Sequence, residues 1–345
     1  MSDEKRTSID SIGEFGLIHE LTKDFVKQRS STLYGVGDDA AVLERDEKTV
    51  TLVATDMLVE GIHFNLMYTP LKHLGYKAVV VNLSDIYAMN GEAEQITVSI
   101  GISSRFPKEA VEEIYEGIYA ACKTYDVDLV GGDTTSSQSG LILSITAIGV
   151  AKKDDVVYRN GGKPNDLIVV SGDLGGAYMG LQVLEREKEV WKSNPEIQPD
   201  LDGFDYVLER QLKPEARRDI IQYLKELGVK PTAMMDISDG LASELFHLSR
   251  QSSVGVRIYD EKLPIDSTVS TTAIDFNISP TTCALNGGED YELLFSIKQE
   301  DFDKIKGNPH MTVIGHFTNK DEGLYLIDKQ NAAFELKAQG WDHFK

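Results

Sequence analysis

Residues 233–248 read as an apolar strand (Ala233 to Ile237), a tight turn (Ser238 to Gly240) and a helix from Leu241, with Asp236 ending the strand and Asp239 inside the turn. Leu241, Leu245 and Leu248 recur at helical spacing, so one face of that helix is buried. Both carboxylates can then point into one cavity above the strand end. The design recurs at Gly37-Asp38-Asp39-Ala40, Ala54-Thr55-Asp56, Asn82-Leu83-Ser84-Asp85 and Gly131-Gly132-Asp133-Thr134. Each stretch sets Asp at the end of an apolar strand, or in a Gly- or Ser-containing turn beside a helix.

Any one of these aspartates alone reads as a helix cap or turn residue. Seven in matching contexts (Asp38, Asp39, Asp56, Asp85, Asp133, Asp236, Asp239) ask for more, because no cap requires a paired Asp-Asp. Carboxylates gathered in one pocket repel unless cations neutralise them. Oxygen ligands with few His or Cys nearby suit Mg²⁺, Mn²⁺ or Ca²⁺ rather than zinc. Mg²⁺ binds a few carboxylates, waters and substrate phosphates together, which makes an acidic nucleotide a reasonable ligand for an acidic pocket. The chain has no Gly-x-x-x-x-Gly-Lys-Ser/Thr loop, no kinase-type catalytic loop and no Gly-x-Ser-x-Gly elbow. An NTP, at about four negative charges, could join these carboxylates only with several divalent cations between them.

The 345 residues exceed what one core usually serves, and the polar, Gly- and Pro-containing stretch 152–166 marks a boundary. Both halves mix strands and helices. The expected fold is therefore α/β (α+β) in two mixed domains, 1–151 and 152–345. In the first, helices are expected over 13–29, from Pro70 to about Met89 and from Pro107 to about Tyr125, with strands over 50–55, 96–102 and 141–150. Gly131 to Ser137 reads as a turn rich in N–H donors and hydroxyls. In the second, Gly172 to Gly176 is a glycine-rich turn into a helix, a phosphate signal no stronger than simple helix packing. Residues 188–205 read as a surface excursion, Pro214 to Leu227 as a helix, and Tyr291 to Ile297 as a strand.

A net charge of −21 disfavours nucleic acid and anionic membranes. No run approaches the ~18 apolar residues of a membrane span, and a cytoplasmic setting follows by default. Cys122 and Cys283 share no metal-type spacing and read as buried thiols. Lys77 reads as a surface lysine. Arg159 heads the boundary loop, where it could meet a nucleotide phosphate. His63 lies in a loop seven residues after Asp56 and could touch substrate, and Glu289 follows two glycines that allow close backbone approach to a ligand. Trp341 is a core residue or a platform for a ring.

The stretches Gly-Val-Gly-Asp-Asp-Ala-Ala (35–41), Thr-Asp-Met-Leu-Val-Glu-Gly-Ile-His-Phe (55–64), Lys-Ala-Val-Val-Val-Asn-Leu-Ser-Asp (77–85), Gly-Gly-Asp-Thr-Thr (131–135), Asp-Ile-Ser-Asp-Gly-Leu (236–241) and Gly-Gly-Glu-Asp-Tyr-Glu-Leu (287–293) resemble the thiamine-monophosphate kinase family over nearly the whole chain. The acidic turns alone are shared with aminoimidazole-ribonucleotide synthetase and selenophosphate synthetase. The His63 loop, residues 287–293 and the Trp-Asp-His-Phe tail are more specific. The resemblance implies a homodimer whose N-terminal strands form a shared β-barrel. It implies ATP and thiamine monophosphate as substrates, with direct in-line transfer of the γ-phosphoryl group and several Mg²⁺ ions. Asp39, Asp56, Asp85, Asp133 and Asp236 would bind the metal, with Thr55 and Asp239 adding contacts. Ala54 departs from the Ser or Thr of many relatives, so a ligand there could come only from its main-chain carbonyl. Gly132, Asp133, Arg159 and Ser238 would touch ATP, and His63, Glu289 and Trp341 would surround the thiamine phosphate. The rival readings are another ATP-dependent enzyme of the superfamily and a non-catalytic nucleotide-binding regulator. A selenophosphate synthetase needs a reactive Cys near the start, and residues 1–30 have none.

Overall fold

The computed structural model describes residues 12–337; Trp341 and the rest of the Trp-Asp-His-Phe tail lie outside the described residues. The first half runs α1 (Glu14–Thr22), β1 (Thr32–Tyr34), β2 (Ala41–Glu44), β3 (Thr49–Val59), α2 (Leu71–Ala88), β4 (Glu92–Ile102), α3 (Lys108–Tyr125), β5 (Asp128–Ser136) and β6 (Ile142–Lys152). The second runs β7 (Leu167–Ser171), α4 (Gly176–Ser193), α5 (Asp205–Leu212), α6 (Arg218–Glu226), β8 (Ala233–Asp236), α7 (Leu241–Ser252), β9 (Val254–Tyr259), α8 (Ser267–Asp275), α9 (Pro280–Asn286), β10 (Leu293–Ile297), α10 (Phe302–Ile305), β11 (Met311–Asn319), β12 (Leu324–Ile327) and β13 (Ala333–Glu335).

Each half builds one mixed sheet. The first has strand order β1-β2-β3-β6-β4-β5, parallel only between β4 and β5. It is open, and β5 at its edge is exposed along almost its whole length. The second has order β13-β12-β9-β11-β7-β10-β8, parallel only between β9 and β12. Strand β6 alternates half-buried and buried residues in strict register, the signature of a sheet with one covered face.

Helix α2 is the piece that positions the site. Its Gly75-Tyr76-Lys77-Ala78-Val79-Val80-Val81-Asn82-Leu83 run is buried on every side. Such a helix must be surrounded by protein, and here it is packed against α3, the first sheet and strand β8 of the second. The close crossing with α3 depends on two glycines. A Cβ on Gly75 would sit 1.9 Å from the Ile114 carbonyl oxygen, and one on Gly117 1.9 Å from that of Lys72.

Several sequence expectations need correction. Strand β3 does not end at Asp56 but continues to Val59, paired residue for residue with β6. The buried–exposed alternation lapses at Thr55, Asp56 and Met57, which are all open to a cavity, so the apolar pattern ends before the strand does. Asp85, by contrast, lies inside α2 near its end, as the helix expected from Pro70 to about Met89 has it. Gly131 to Ser136 is strand β5, not a turn, hydrogen-bonded in parallel to β4. The first helix stops at Thr22, and Phe25 and Val26 beyond it are exposed. The helix expected from Pro214 starts at Arg218, and ahead of it the Ala216 N–H donates to the Tyr125 hydroxyl at 2.8 Å. Residues 188–193 are the last turns of α4 rather than part of a surface excursion. The strand expected from Tyr291 begins at Leu293, because Tyr291 holds a left-handed φ of 51° that no strand residue adopts.

Candidate active site

A cavity of about 760 Å³ lies between the two halves, lined among others by Thr55, Asp56, His63, Asp85, Arg159, Asp236, Ser238, Asp239 and Glu289. At its floor, carboxylate oxygens of Asp39, Asp85 and Asp236 lie within 4.8 Å of one another. They arrive from three directions: the turn before β2, the last turns of α2, and the end of β8. Arg159 reaches this floor, its Nη2 2.5 Å from Asp39 Oδ1. Its backbone N–H donates to Asp38 Oδ2 at 3.2 Å. Asp38 is thereby a partner of Arg159 beside the cluster.

The charge is far from balanced. Asp39 Oδ2 is buried without a hydrogen-bond partner. Burial first, then Asp39, pushes Asp236 up to about 7, against the opposing effects of Ser84 and Arg159. Asp85 is driven well above the ordinary carboxylate range by burial and by Asp56, Asp236 and Asp39. Asp56, held by the Asn82 side-chain carbonyl through its backbone N–H at 2.8 Å, is raised by desolvation, Glu14 and Asp39, while a hydrogen bond with Asp85 opposes the shift. Asp38 rises to about 7 from burial and the charge of Asp39. Although burial works against its charge, Asp39 and Asp38 hold the Arg159 guanidinium more firmly protonated than usual. One guanidinium among so many carboxylates leaves a site that protons or added cations must neutralise.

The remaining expected residues divide. Thr55 and Asp56 line the cavity, and the Thr55 hydroxyl donates to the Ile145 carbonyl at 3.0 Å. His63 lines it too, its Nδ1 accepting from the Val59 N–H at 3.0 Å. Ala54 is buried at 5% exposure within the first core and does not line the cavity. Gly132 and Asp133 line a different, open depression on β5 with Val98 and Tyr115. This chain's own fold therefore does not bring Asp133 to the floor, contrary to the expectation that all the aspartates share one pocket. Lys77 is not a surface residue: it is 3% exposed and ion-paired with Glu289 at 2.9 Å. The glycine-rich turn before α4 is already filled, because the Gly175 and Ala177 N–H groups donate to the buried Asp290 carboxylate at 2.8 and 3.4 Å.

Three contributors carried no role in the sequence reading. Ser84 donates to Asp236 Oδ2 at 2.6 Å, and Asn82 fixes Asp56. Both lie within 77–85, where the spacing to Asp85 was the available signal. Glu244, 1% exposed, accepts from the Ser238 and Asp239 N–H groups at 3.0 and 2.8 Å and shapes their turn. An acid in the first turn of a helix after Ser-Asp-Gly was its signal.

Residues 37–151 match the family model for the AIR synthase related protein, N-terminal domain, and residues 163–332 that for the C-terminal domain. The thiamine-monophosphate kinase of Bacillus subtilis (strain 168) is 33% identical, over 96% of this chain and 99% of its own length. That of Aquifex aeolicus (strain VF5) is 34% identical, over 97% and 99%. The chain belongs to the thiamine-monophosphate kinase family. A solved structure described as AaThiL complexed with AMPPCP and TMP superposes with a TM-score of 0.83 at 31% identity, covering 99% of this chain and all of that one. The hydrogenase maturation protein HypE, in complex with HypF, shares the fold at a TM-score of 0.68 and 20% identity, over 93% of this chain and 99% of its own.

Proposed function

We propose that this kinase-family chain transfers the γ-phosphoryl group of ATP directly to thiamine monophosphate, giving ADP and thiamine diphosphate. The observation that carries the reading is one cavity lined by the Asp39–Asp85–Asp236 cluster together with His63 and Glu289. In the reaction, the bond between the γ-phosphorus and its bridging oxygen breaks as a monophosphate oxygen of the acceptor bonds to phosphorus. The acceptor phosphate is already deprotonated near neutral pH, so no side chain has to act as a general base. Catalysis then reduces to positioning and charge neutralisation.

The floor fits a hard divalent cation: three convergent carboxylates, an unpartnered buried Asp39 oxygen and no sulfur or imidazole in the cluster. Asp39, Asp85 and Asp236 would hold Mg²⁺, with Asp56, Thr55 and Asp239 at the rim. Ala54, which does not line the cavity, holds no metal in this reading. When bound, Mg²⁺ supplies positive charge to the phosphate oxygens. Arg159 and Ser238 lie where they can meet the nucleotide, with Arg159 oriented by Asp38 and Asp39. His63 and Glu289 orient the acceptor.

The same reading takes the chain as two domains, 1–151 and 152–345, and as a homodimer. The unpaired, exposed edge of β5, carrying Val130 at 57% exposure, supports an N-terminal barrel completed by a second copy. Gly132 and Asp133 on that edge enter the site through this dimer. Cys122 and Cys283 are free thiols, as a cytoplasmic enzyme would have, and among the described residues no helix is long and apolar enough to cross a membrane.

Incubation with ATP, Mg²⁺ and thiamine monophosphate, followed by chromatography, tests the reaction. One ADP formed per thiamine diphosphate supports it. Nucleotide binding without ADP formation under any acceptor would mean a regulator instead.

A further inference from the structure

Lys77 does not line the cavity, yet it is the cation closest to one of the groups that do. Its ammonium is ion-paired with Glu289 Oε1 at 2.9 Å and donates to the Gln211 carbonyl at 3.0 Å. The Gln211 side chain donates to the other Glu289 oxygen at 2.8 Å. Both carboxylate oxygens are therefore tied, one from α2 in the first half and one from α5 in the second. Burying an ammonium this deeply is costly unless its partners are well placed, and both are.

The backbone at Glu289 needs such a tie. Glu289 has φ 63° and Tyr291 φ 51°, a left-handed conformation that side chains other than glycine adopt at a cost. Three hydrogen bonds join this loop to the residues just after β8, one of them from the Ile237 N–H to the Glu292 carbonyl at 2.8 Å. The Glu289 N–H donates to the Ser238 carbonyl at 2.7 Å, and the Tyr291 N–H to that of Ile237 at 2.9 Å. A load on Glu289 is thus carried into the Ser238–Asp239 turn.

We infer that Lys77 is a positioning residue for the acceptor: through the Lys77–Glu289–Gln211 latch it sets the Glu289 carboxylate in the cavity, and it does so without touching substrate. This rests on the phosphotransfer reading above, and turnover of thiamine monophosphate by the unmodified enzyme checks that reading separately.

The test is steady-state kinetics on Lys77→Met, Glu289→Gln and the double variant, with melting curves alongside. Lys77→Met is expected to raise KM for thiamine monophosphate on the order of tenfold, leaving KM for ATP within about twofold. The double variant should be no worse than the worse single one, because Lys77 acts through Glu289. Multiplying effects, or equal rises in both KM values, would overturn the inference and leave Lys77 a fold-supporting residue. Should Lys77→Met fail to fold, Gln211→Met decides, since it removes one tie and keeps the ammonium. A selective rise in KM for thiamine monophosphate sustains the latch, and an unchanged value refutes it.

Discussion

Two sets of acidic residues, one reaching the cavity through Glu289 and one clustered at its floor, are treated in opposite ways. In the Glu289-Asp290-Tyr291-Glu292 loop every carboxylate has a partner within the chain. Glu289 has Lys77 and Gln211, and Asp290 has the N–H groups that open α4, with Arg210 at 3.7 Å. Glu292 has Arg210 at 3.0 Å, with Arg217 and Ser171 also bonded to it. On the floor, Asp39, Asp85 and Asp236 crowd together against Arg159 and one serine hydroxyl. The first set is complete and holds the structure in place. The second is incomplete, and its missing charge has to come from outside. Counting carboxylates in a motif does not separate these cases; asking where each one's counter-charge comes from does.

The contrast can be broken most severely at the floor. Asp85→Asn or Asp236→Asn should lower turnover on the order of a thousandfold or more while the fold persists, read by kinetics and circular dichroism. Without metal, either variant should also melt higher than the parent, because a repelling charge is gone. The loop should respond the other way. Glu292→Gln leaves Arg210 and Arg217 without their shared carboxylate and should destabilise by about 3–5 kcal/mol in denaturant melts. A floor variant that melts lower than Glu292→Gln would erase the distinction.

A third effect is set by pH. Asp236 sits at about 7 in the folded chain against 3.8 for the ordinary group. Between those values the folded state keeps a proton that the unfolded chain has released, so stability falls as pH rises through that window. In EDTA, melting temperature should drop from pH 5 to pH 8, more than in Asp236→Asn, and Mg²⁺ with a nucleotide analogue should flatten the dependence. The smallest expected change is at Ser84. Ser84→Ala removes the hydrogen bond to Asp236 and should cost about tenfold in turnover, with little loss of stability.

The turn at 236–240 and the Asp38-Asp39 pair were legible because apolar runs stop there at glycine or serine. Asp56 was legible as an acid but not as a mid-strand residue, since exposure to the cavity imitates a strand end. Convergence was beyond reach: the Asp133 motif resembles the others, but its strand lies on the far edge of the sheet. The burial of Lys77 was readable in principle. Its neighbours Ala78, Val79, Val80 and Val81 are apolar on all helix faces, which marks a helix with no exposed side for a lysine to occupy.

The most direct measurement is anomalous scattering from crystals soaked with Mn²⁺ and a non-hydrolysable ATP analogue. The expected result is manganese among the carboxylates of Asp39, Asp85 and Asp236, in contact with nucleotide phosphate. Phosphate bound elsewhere, with those three carboxylates protonated and hydrogen-bonded only to one another, would contradict it.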